Sequence, residues 1–431
     1  MIFKRMREQI LDKAIRGQLV PQLQEEGVVD KIGNAPSEVP FDIPGSWKWI
    51  KISDVVDVRD GTHDSPKYVE NGVPFVTSKN LKDGTIDFST VKFISQKDHE
   101  SFIQRSNVEP GDILMAMIGS IGNAVMVPNN VPDFSIKNVA LFKHKEHKLI
   151  SFDFLLVLLK SLESIMSSQS SGSVQKFVPL KYLRNMAIPL PPIAEQKRIA
   201  AKIESLFGEI DRAEKAYEEL QSLANVLRGQ ILQKAIQGKL VPQLPEDGVV
   251  EQIGEAPAEV PFEIPDSWKW VSARHCFELI SGRDLTKNDI SEQLTSTSKI
   301  PYITGASQIK NGEIIINRWT SKPVVCSELN DLLLTCKGTV GETAINKIGN
   351  VHIARQIMAL RAHKHVILGE YLTIYINCIS KQLSKEAKSM IPGISRTTIL
   401  NKFLPIPPLA EQKRIVAKVE TLLEQVDLMT K

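Results

Sequence analysis

Between Ile199 and Ile231 the apolar positions advance in alternating steps of four and three: Ile199, Ile203, Leu206, Ile210, Ala213, Tyr217, Leu220, Ala224, Leu227 and Ile231. Such a heptad seam predicts one long coiled-coil helix. Pro191 and Pro192 stand at its start, Glu195 suits the positive end of its dipole, and Gly238 is a natural stop. The helix is expected over residues 191–238, roughly 65 Å at 1.5 Å per residue. The same phase returns at Ile415, Val419, Leu422, Val426 and Met429, and at Phe3, Met6 and Ile10. These two stretches are the expected antiparallel partner, split so that residues 407–431 supply its first half and residues 1–17 its second. Elsewhere the apolar runs are short and bounded by Gly, Asn, Asp and Pro: "GVPFVTS", "DILMAMIG" and "NAVMVP", then "IPYITG", "DLLLTCKG" and "ETAIN". They predict short strands with tight turns, while residues 152–169 and 368–388 read as helices.

These patterns occur twice. Residues 11–49 and 232–270 are identical at 28 of 39 positions at an offset of 221, and residues 189–211 and 405–427 at 14 of 23 at an offset of 216. Between the matched blocks the copies diverge, so a near-constant frame carries two different inserts. By these offsets Lys431 aligns with Lys215 and Met1 with Ser222, and only residues 216–221 lack a counterpart. The expected arrangement is a circularly permuted pseudo-two-fold repeat, with Met1 and Lys431 about 10 Å apart along one helix axis. Its segments are the second half of the split helix (1–17), an extended linker (18–46), a first insert domain (47–190), the central helix (191–238), a second linker (239–267), a second insert domain (268–406) and the first half of the split helix (407–431). The linkers are Pro-punctuated and are expected to lie extended on the surface. The "SWKW" after each is expected to anchor the first strand of its insert. The fold class is α+β, two α+β domains separated by a long two-helix coiled coil.

Composition narrows the function. The sequence of 431 residues is too long for one ordinary core. It has no apolar run of membrane-spanning length and no apolar signal core at its N-terminus. The four cysteines, Cys276, Cys326, Cys336 and Cys378, have no CxxC spacing and read as reduced thiols of a cytoplasmic protein. A net charge of +3 requires any basic surface to be local. Catalytic readings are weak. "GSIGN" and "GTVGE" lack the GK[ST] of a phosphate-binding loop. Pro132, Asp133, Glu146 and Lys148 fit a loose PD…ExK nuclease pattern, but the sister copy has His352, His365 and Ile367 there. His144 and His147 in "KHKEHK" read as a solvated turn rather than a metal site. No NPP motif of an adenine methyltransferase occurs. No catalytic or metal residue is assigned.

The duplicated "PLPPIAEQKRI", the heptad helix, "LQKAIQGKLVPQ", "IPDSWKW" and the two divergent inserts resemble the specificity subunit of type I restriction-modification enzymes over the whole chain. The resemblance implies two target recognition domains, each reading half of a split, asymmetric double-stranded DNA sequence, and helices that set their separation. It implies docking to two methyltransferase subunits, which bind S-adenosylmethionine and modify adenine, and through them to translocase-nuclease restriction subunits using ATP and Mg. This chain itself would carry no cofactor, with one copy per complex in the prokaryotic cytoplasm, nucleoid-associated and away from any membrane. The repeated Glu195, Gln196, Lys197 and Arg198, with Glu411, Gln412, Lys413 and Arg414, are the candidate docking residues. A protein-only coiled-coil adaptor and an enzyme with an unrecognised site are the other two classes.

Loops rich in base- and phosphate-reading residue types are the candidate DNA contacts. In the first insert these supply Thr62, His63, Lys67, Lys79, Asn80, Lys82, Gln175 and Lys176. In the second they supply Arg283, Lys287, Asn288, Gln308, Lys310, Arg355, Gln356, Arg396 and Thr397.

Overall fold

The computed structural model describes residues 2–30, 32–33, 36, 39–63, 65–82, 84–119, 121–163, 166, 177–296, 299–310, 312–386 and 393–430. The chain divides into two compact units, Met1–Ala216 and Tyr217–Lys431. The heptad helix runs as one element, Ile193–Ile236, and gives its first half to the first unit and its second half to the second. Gly208 and Gly229 lie within it, each costing about 1 kcal/mol relative to alanine, so packing along the seam must sustain it.

The partner helices supply that packing. In the first unit, helix Ile2–Ile15 places Ile10, Leu11, Ala14 and Ile15 in one cluster with Ile199, Ile203 and Phe207. Arg7 reaches Asp211 at 2.5 Å and Glu214 at 2.8 Å. Gln22, at the other end, donates both to Gly17 O and to Glu195, so the two helices run antiparallel. In the second unit, helix Leu409–Met429 places Val419, Leu422 and Val426 with Ala224, Leu227 and Ile231. Arg228 reaches Asp427 at 2.5 Å, and Gln243 ties Gly238 O to Glu411. Arg228 stands 221 residues after Arg7, and Asp427 216 after Asp211; one ion pair is built twice. The seam is buried at Ile199, Ile203, Ile210, Ala224 and Ile231, but Tyr217 is 43 % and Leu220 37 % exposed. These two fall in the six residues without a repeated counterpart. There the Tyr217 hydroxyl and Gln221 Nε2 instead lie 3.4 Å from Thr430 O near the end of the C-terminal helix. Met1 and Lys431, and so the expected closeness of the chain ends, lie outside the described residues.

Both helices that lead into a linker stop at glycine. Gly17 and Gly238 have φ of 69° and 70°, the left-handed region that favours glycine. A Cβ there would also collide with Pro44 or Pro265. The linkers are more than surface cover. Each has a single 3₁₀ turn, Gln24–Glu26 or Pro245–Asp247, and each packs apolar side chains against its core: Leu19, Val20, Ile32, Phe41 and Ile43 in one, Leu240, Val241, Ile253, Phe262 and Ile264 in the other. Trp47 and Trp268 are buried in those cores, 2 % and 1 % exposed.

In the first insert the strands are β1 (Lys48–Lys51), β2 (Val56–Asp60), β3 (Val73–Thr77), β4 (Leu81–Lys82), β5 (Thr85–Ile86), β6 (Lys92–Ile94), β7 (Ile113–Ala116), β8 (Gly122–Met126), β9 (Ser135–Lys137), β10 (Val139–His144) and β11 (Ala187–Leu190). Strands β1 and β11 pair antiparallel and join the insert to the frame. A four-stranded sheet has the order β2-β10-β7-β8 and a three-stranded one β6-β3-β9, the β3–β9 pair being parallel. Strand β10 sends Ala140 and Phe142 into the frame-side cluster and Val139 and Leu141 into a second cluster on the other face. Burial on both faces explains why these strands read as continuous apolar runs.

The second insert repeats the plan with β12 (Lys269–Ser272), β13 (Phe277–Ser281), β14 (Ile300–Ile303), β15 (Ile309–Lys310), β16 (Glu313–Ile314), β17 (Trp319–Thr320), β18 (Cys326–Ser327), β19 (Leu332–Thr335), β20 (Thr343–Ile345), β21 (Val351–Ile353), β22 (Ile357–Ala362) and β23 (Phe403–Ile406). Its sheets are β12-β23, β13-β22-β19-β20 and β17-β14-β21-β18, again with a parallel pair, β14–β21. The expected helices appear as Phe152–Ser161 and Gly369–Glu386. One helix has no sister: Gln96–Ser106, capped by Ser95, which accepts from Asp98 N. The second insert has Pro323-Val324-Val325 and strand β18 in that region, where β-branched residues favour extension.

Candidate nucleic-acid interface

The repeated nonapeptide works inside each unit. Prolines 191 and 192 end β11 and start the central helix, whose first turn then turns Glu195 and Gln196 inward, 1 % and 0 % exposed. Glu195 accepts from Trp47 Nε1 at 2.9 Å and Gln22 Nε2 at 2.6 Å. Gln196 donates to Leu149 O and Pro191 O and accepts from Ser151 N at 2.7 Å. Arg198 grips Glu26 on the linker through two bonds. The second unit repeats the set. Glu411 accepts from Trp268 Nε1 at 2.9 Å and Gln243 Nε2 at 2.7 Å. Gln412 bonds Val366 O, Pro407 O and Leu368 N. Arg414 pairs with Asp247. Burial pushes both glutamate carboxyls above the usual range, opposed by the tryptophan and glutamine donors and by the nearby arginines. This corrects the docking assignment. Glu195, Gln196, Glu411 and Gln412 are buried and their polar atoms are used within the chain. Arg198 and Arg414 are half-buried on the linkers, which leaves Lys197 and Lys413 as the exposed members.

The divergent residues gather elsewhere, where strands of each insert end. In the first unit, the segments leaving β2, β3 and β9 meet. Thr62 N donates to Ile136 O at 3.1 Å, and Ser78 Oγ to Asn138 O at 3.1 Å. The exposed ring of His63 spans Asp60 Oδ2 (3.0 Å) and Asn138 Oδ1 (2.9 Å). Lys137 Nζ lies 2.5 Å from Ser65 Oγ, and Arg105, from the unmatched helix, binds Asp60. Gly61 makes the approach possible, since a Cβ would strike Ile136 O. In the second unit, Arg283 N donates to Ile353 O at 2.9 Å and Gly282 presses on Ala354 O. Arg355 pairs with Asp284 at 2.7 Å, and Arg396 Nη1 reaches Ser281 Oγ at 3.4 Å. The turn between the fixed points is one residue longer here: Gly61 N and Thr62 N bond Val139 O and Ile136 O, whereas Gly282 N and Arg283 N bond Ile357 O and Ile353 O.

Most of the candidate reading residues are exposed. His63, Lys67, Lys79 and Lys82 are exposed in the first unit, and Arg283, Lys287, Asn288, Lys310, Arg355, Gln356, Arg396 and Thr397 in the second. The structure brings 282–283, 355–356 and 396 together, and 62–65 with 78 and 137–138. Lys82 and Lys310 stand apart on the hairpins β4–β5 and β15–β16, Lys82 paired with Asp87 at 3.5 Å. Three assignments are corrected. Thr62 is buried. Asn80 is buried and accepts from Thr77 N and Oγ1 while donating to Asp87 O and Thr90 Oγ1. Gln308 makes the matching set with Thr304, Tyr302 and Ile315. Both amides hold a turn and have no capacity left to read a base. Gln175 and Lys176 lie outside the described residues. Sequence reasoning overlooked Asp60, Arg105, Lys137, Asn138 and Asp284. The Ser95-x-x-Asp98 cap signal was available for the helix carrying Arg105; nothing local marks the others.

His144 stacks on Phe152 with ring centroids 3.5 Å apart, and burial lowers its pKa. Among the described residues no cluster of His, Cys, Asp or Glu suits a metal ion, and no helix is long and apolar enough to cross a membrane. All four cysteines are free; burial pushes Cys276 up to about 12 and Cys378 to about 11.

A constant frame stapled identically in both units, with differing residues at each rim, defines a duplicated recognition scaffold. The family model described as type I restriction modification DNA specificity domain matches residues 44–222 and 265–431. The chain belongs to this family. A putative type I restriction enzyme MjaX specificity subunit from Methanocaldococcus jannaschii is 23 % identical over 90 % of this chain and 90 % of its own length. The EcoBI specificity subunit from Escherichia coli is 24 % identical over 90 % of this chain and 82 % of its own. The fold matches a solved chain from the complex assembly and conformational transition of the type I R-M system, with TM-score 0.71, 21 % identity and coverage of 91 % of this chain and 93 % of that one. The HsdS subunit from Thermoanaerobacter tengcongensis matches with TM-score 0.55, 21 % identity and the same coverages.

Proposed function

We propose that this chain reads a bipartite, asymmetric double-stranded DNA target, one half-site at each rim, and has no catalytic site of its own. One observation carries the reading: the frame bonds are reproduced pair for pair, whereas the exposed residues at the two rims differ. Identical scaffolds with different donor and acceptor sets suit two different base sequences. A helix continuous from one unit into the next suits a fixed interval between readers, so that half-sites fall on compatible faces of the duplex.

In this reading methylation comes from two docked adenine methyltransferase subunits carrying S-adenosylmethionine, and cleavage from restriction subunits using ATP and Mg, around one copy of this chain in a prokaryotic cytoplasm. Lys197 and Lys413, exposed at equivalent places on the frame, are the docking candidates that remain. The modest net charge fits a chain that shares phosphate contacts with its partners. The test is methylome sequencing of a host expressing the full chain with its methyltransferase subunit. One split, non-palindromic motif with a fixed unread gap is expected. A continuous or palindromic motif, or none, refutes the reading.

A further inference from the structure

Asp284 holds Arg355 at two points. Its Oδ1 accepts from the Arg355 backbone N–H at 3.1 Å, and its Oδ2 lies 2.7 Å from Arg355 Nε. One carboxylate thus fixes both the turn and the guanidinium. The arginine side chain remains 69 % exposed, and its Nη1 and Nη2 have no partner among the described residues. The first unit has a different pair at the same place: His63, 221 residues before Asp284, bonded to Asn138 in the equivalent turn. In both units the residue two past the close-packed glycine engages the turn that follows the parallel strand, and the chemistry of that pair differs.

We propose that Arg355 is a specificity-determining residue and Asp284 its positioning residue: held at Nε, Arg355 presents Nη1 and Nη2 as a fork to O6 and N7 of one guanine in the half-site read by the second unit. The proposal rests on the DNA-reading function above. A two-pronged donor matches the major-groove edge of guanine. The carboxylate neutralises most of the charge that would draw a free arginine to phosphate. Fixing the guanidinium beforehand also reduces the ordering cost of binding.

The test uses the full chain assembled with its methyltransferase subunit and duplexes in which each base pair of the half-site is replaced in turn. Competition binding is measured at several salt concentrations. Asp284→Asn keeps an oxygen for the turn N–H but sets an NH₂ group against Nε. Arg355→Ala is expected to lose discrimination at one G·C pair by on the order of ten- to a hundredfold. Asp284→Asn should relax the same pair to a lesser degree, and the double variant should match Arg355→Ala. The other half-site and the salt slope should not change. Loss that is uniform across sequences with a salt slope lowered by about one indicates a phosphate contact and overturns the proposal. So does relaxation at different base pairs, or unchanged discrimination. If Asp284→Asn lowers the Tm, Arg355→Lys decides: it keeps the charge without the fork and must relax the same pair. Absence of any sequence preference in the wild-type assembly overturns the DNA-reading function itself, an outcome distinct from failure of this pair alone.

Discussion

The two inserts share little sequence but much of their internal wiring. Lys143 holds Asp112 and Glu109 at 2.6 and 2.7 Å in the first. Arg361 holds Asp331 and Glu328 at 3.0 and 3.2 Å in the second. The main sheet has one strand order in both. The units part company at the rim. There the first anchors Asp60 with an arginine from a helix of its own, and the second puts Ser281 in that position beside Arg396. Ser135 in β9 bonds His99 of that helix at 2.9 Å. The matching His352 of β21 is buried, accepts from Val324 N and Val325 N, and leaves Nε2 without a partner among the described residues. Divergence is tolerated where side chains meet solvent and in the shell directly beneath. It stops at the frame, where each polar atom has a fixed partner.

The largest test of this contrast exchanges one reader. Replacing residues 50–188 with the insert of a relative of different specificity should change one half of the methylated motif and leave the other untouched, as read by methylome sequencing. A change in both halves would show that the readers are not independent.

The frame should respond equally on both sides. Gln196→Ala strands Ser151 N–H and two carbonyls in a buried site and should cost about 2–4 kcal/mol. Gln412→Ala should match it to within about 1 kcal/mol, with protection lost in its own unit by hydrogen exchange. Markedly unequal costs would break the equivalence of the frames.

A smaller, pH-dependent effect comes from the buried carboxyls. With their pKa raised by burial, Glu195 and Glu411 keep their protons to higher pH folded than unfolded. Their contribution to stability is therefore full below the ordinary carboxylate range and declines as pH rises through the raised values. Urea titrations should show wild type losing stability relative to the Glu195→Gln/Glu411→Gln variant as pH rises from about 4 to 7; a constant difference would refute the coupling.

The smallest effect is expected at the repeated helix ion pairs. Arg7→Ala and Arg228→Ala remove half-exposed partners of Asp211 and Asp427 and should each cost less than about 1 kcal/mol, shrinking further in high salt.

The sequence by itself determined the period of the central helix, its split partner, the duplication and the two-insert plan. Each is written in spacing along the chain: the step of four and three, the offsets of 221 and 216, Gly17 and Gly238 as stops. It also carried the residue types of the exposed rims, because loops rich in Arg, Lys, Asn and Gln are visible without a fold. Only the tertiary structure decided which of these residues face outward. Asn80 and Gln308 look like base readers and are spent on turns; Glu195 and Gln196 look like a docking motif and bind a tryptophan, a glutamine and three main-chain groups drawn from distant segments. Asp284 looks like an ordinary loop acid and holds Arg355, 71 residues away. A hydrogen bond joins groups by distance in space, and their separation along the chain leaves no periodic mark. The sequence therefore announces a helix or a repeat, and only the folded structure shows where each polar atom finds its partner.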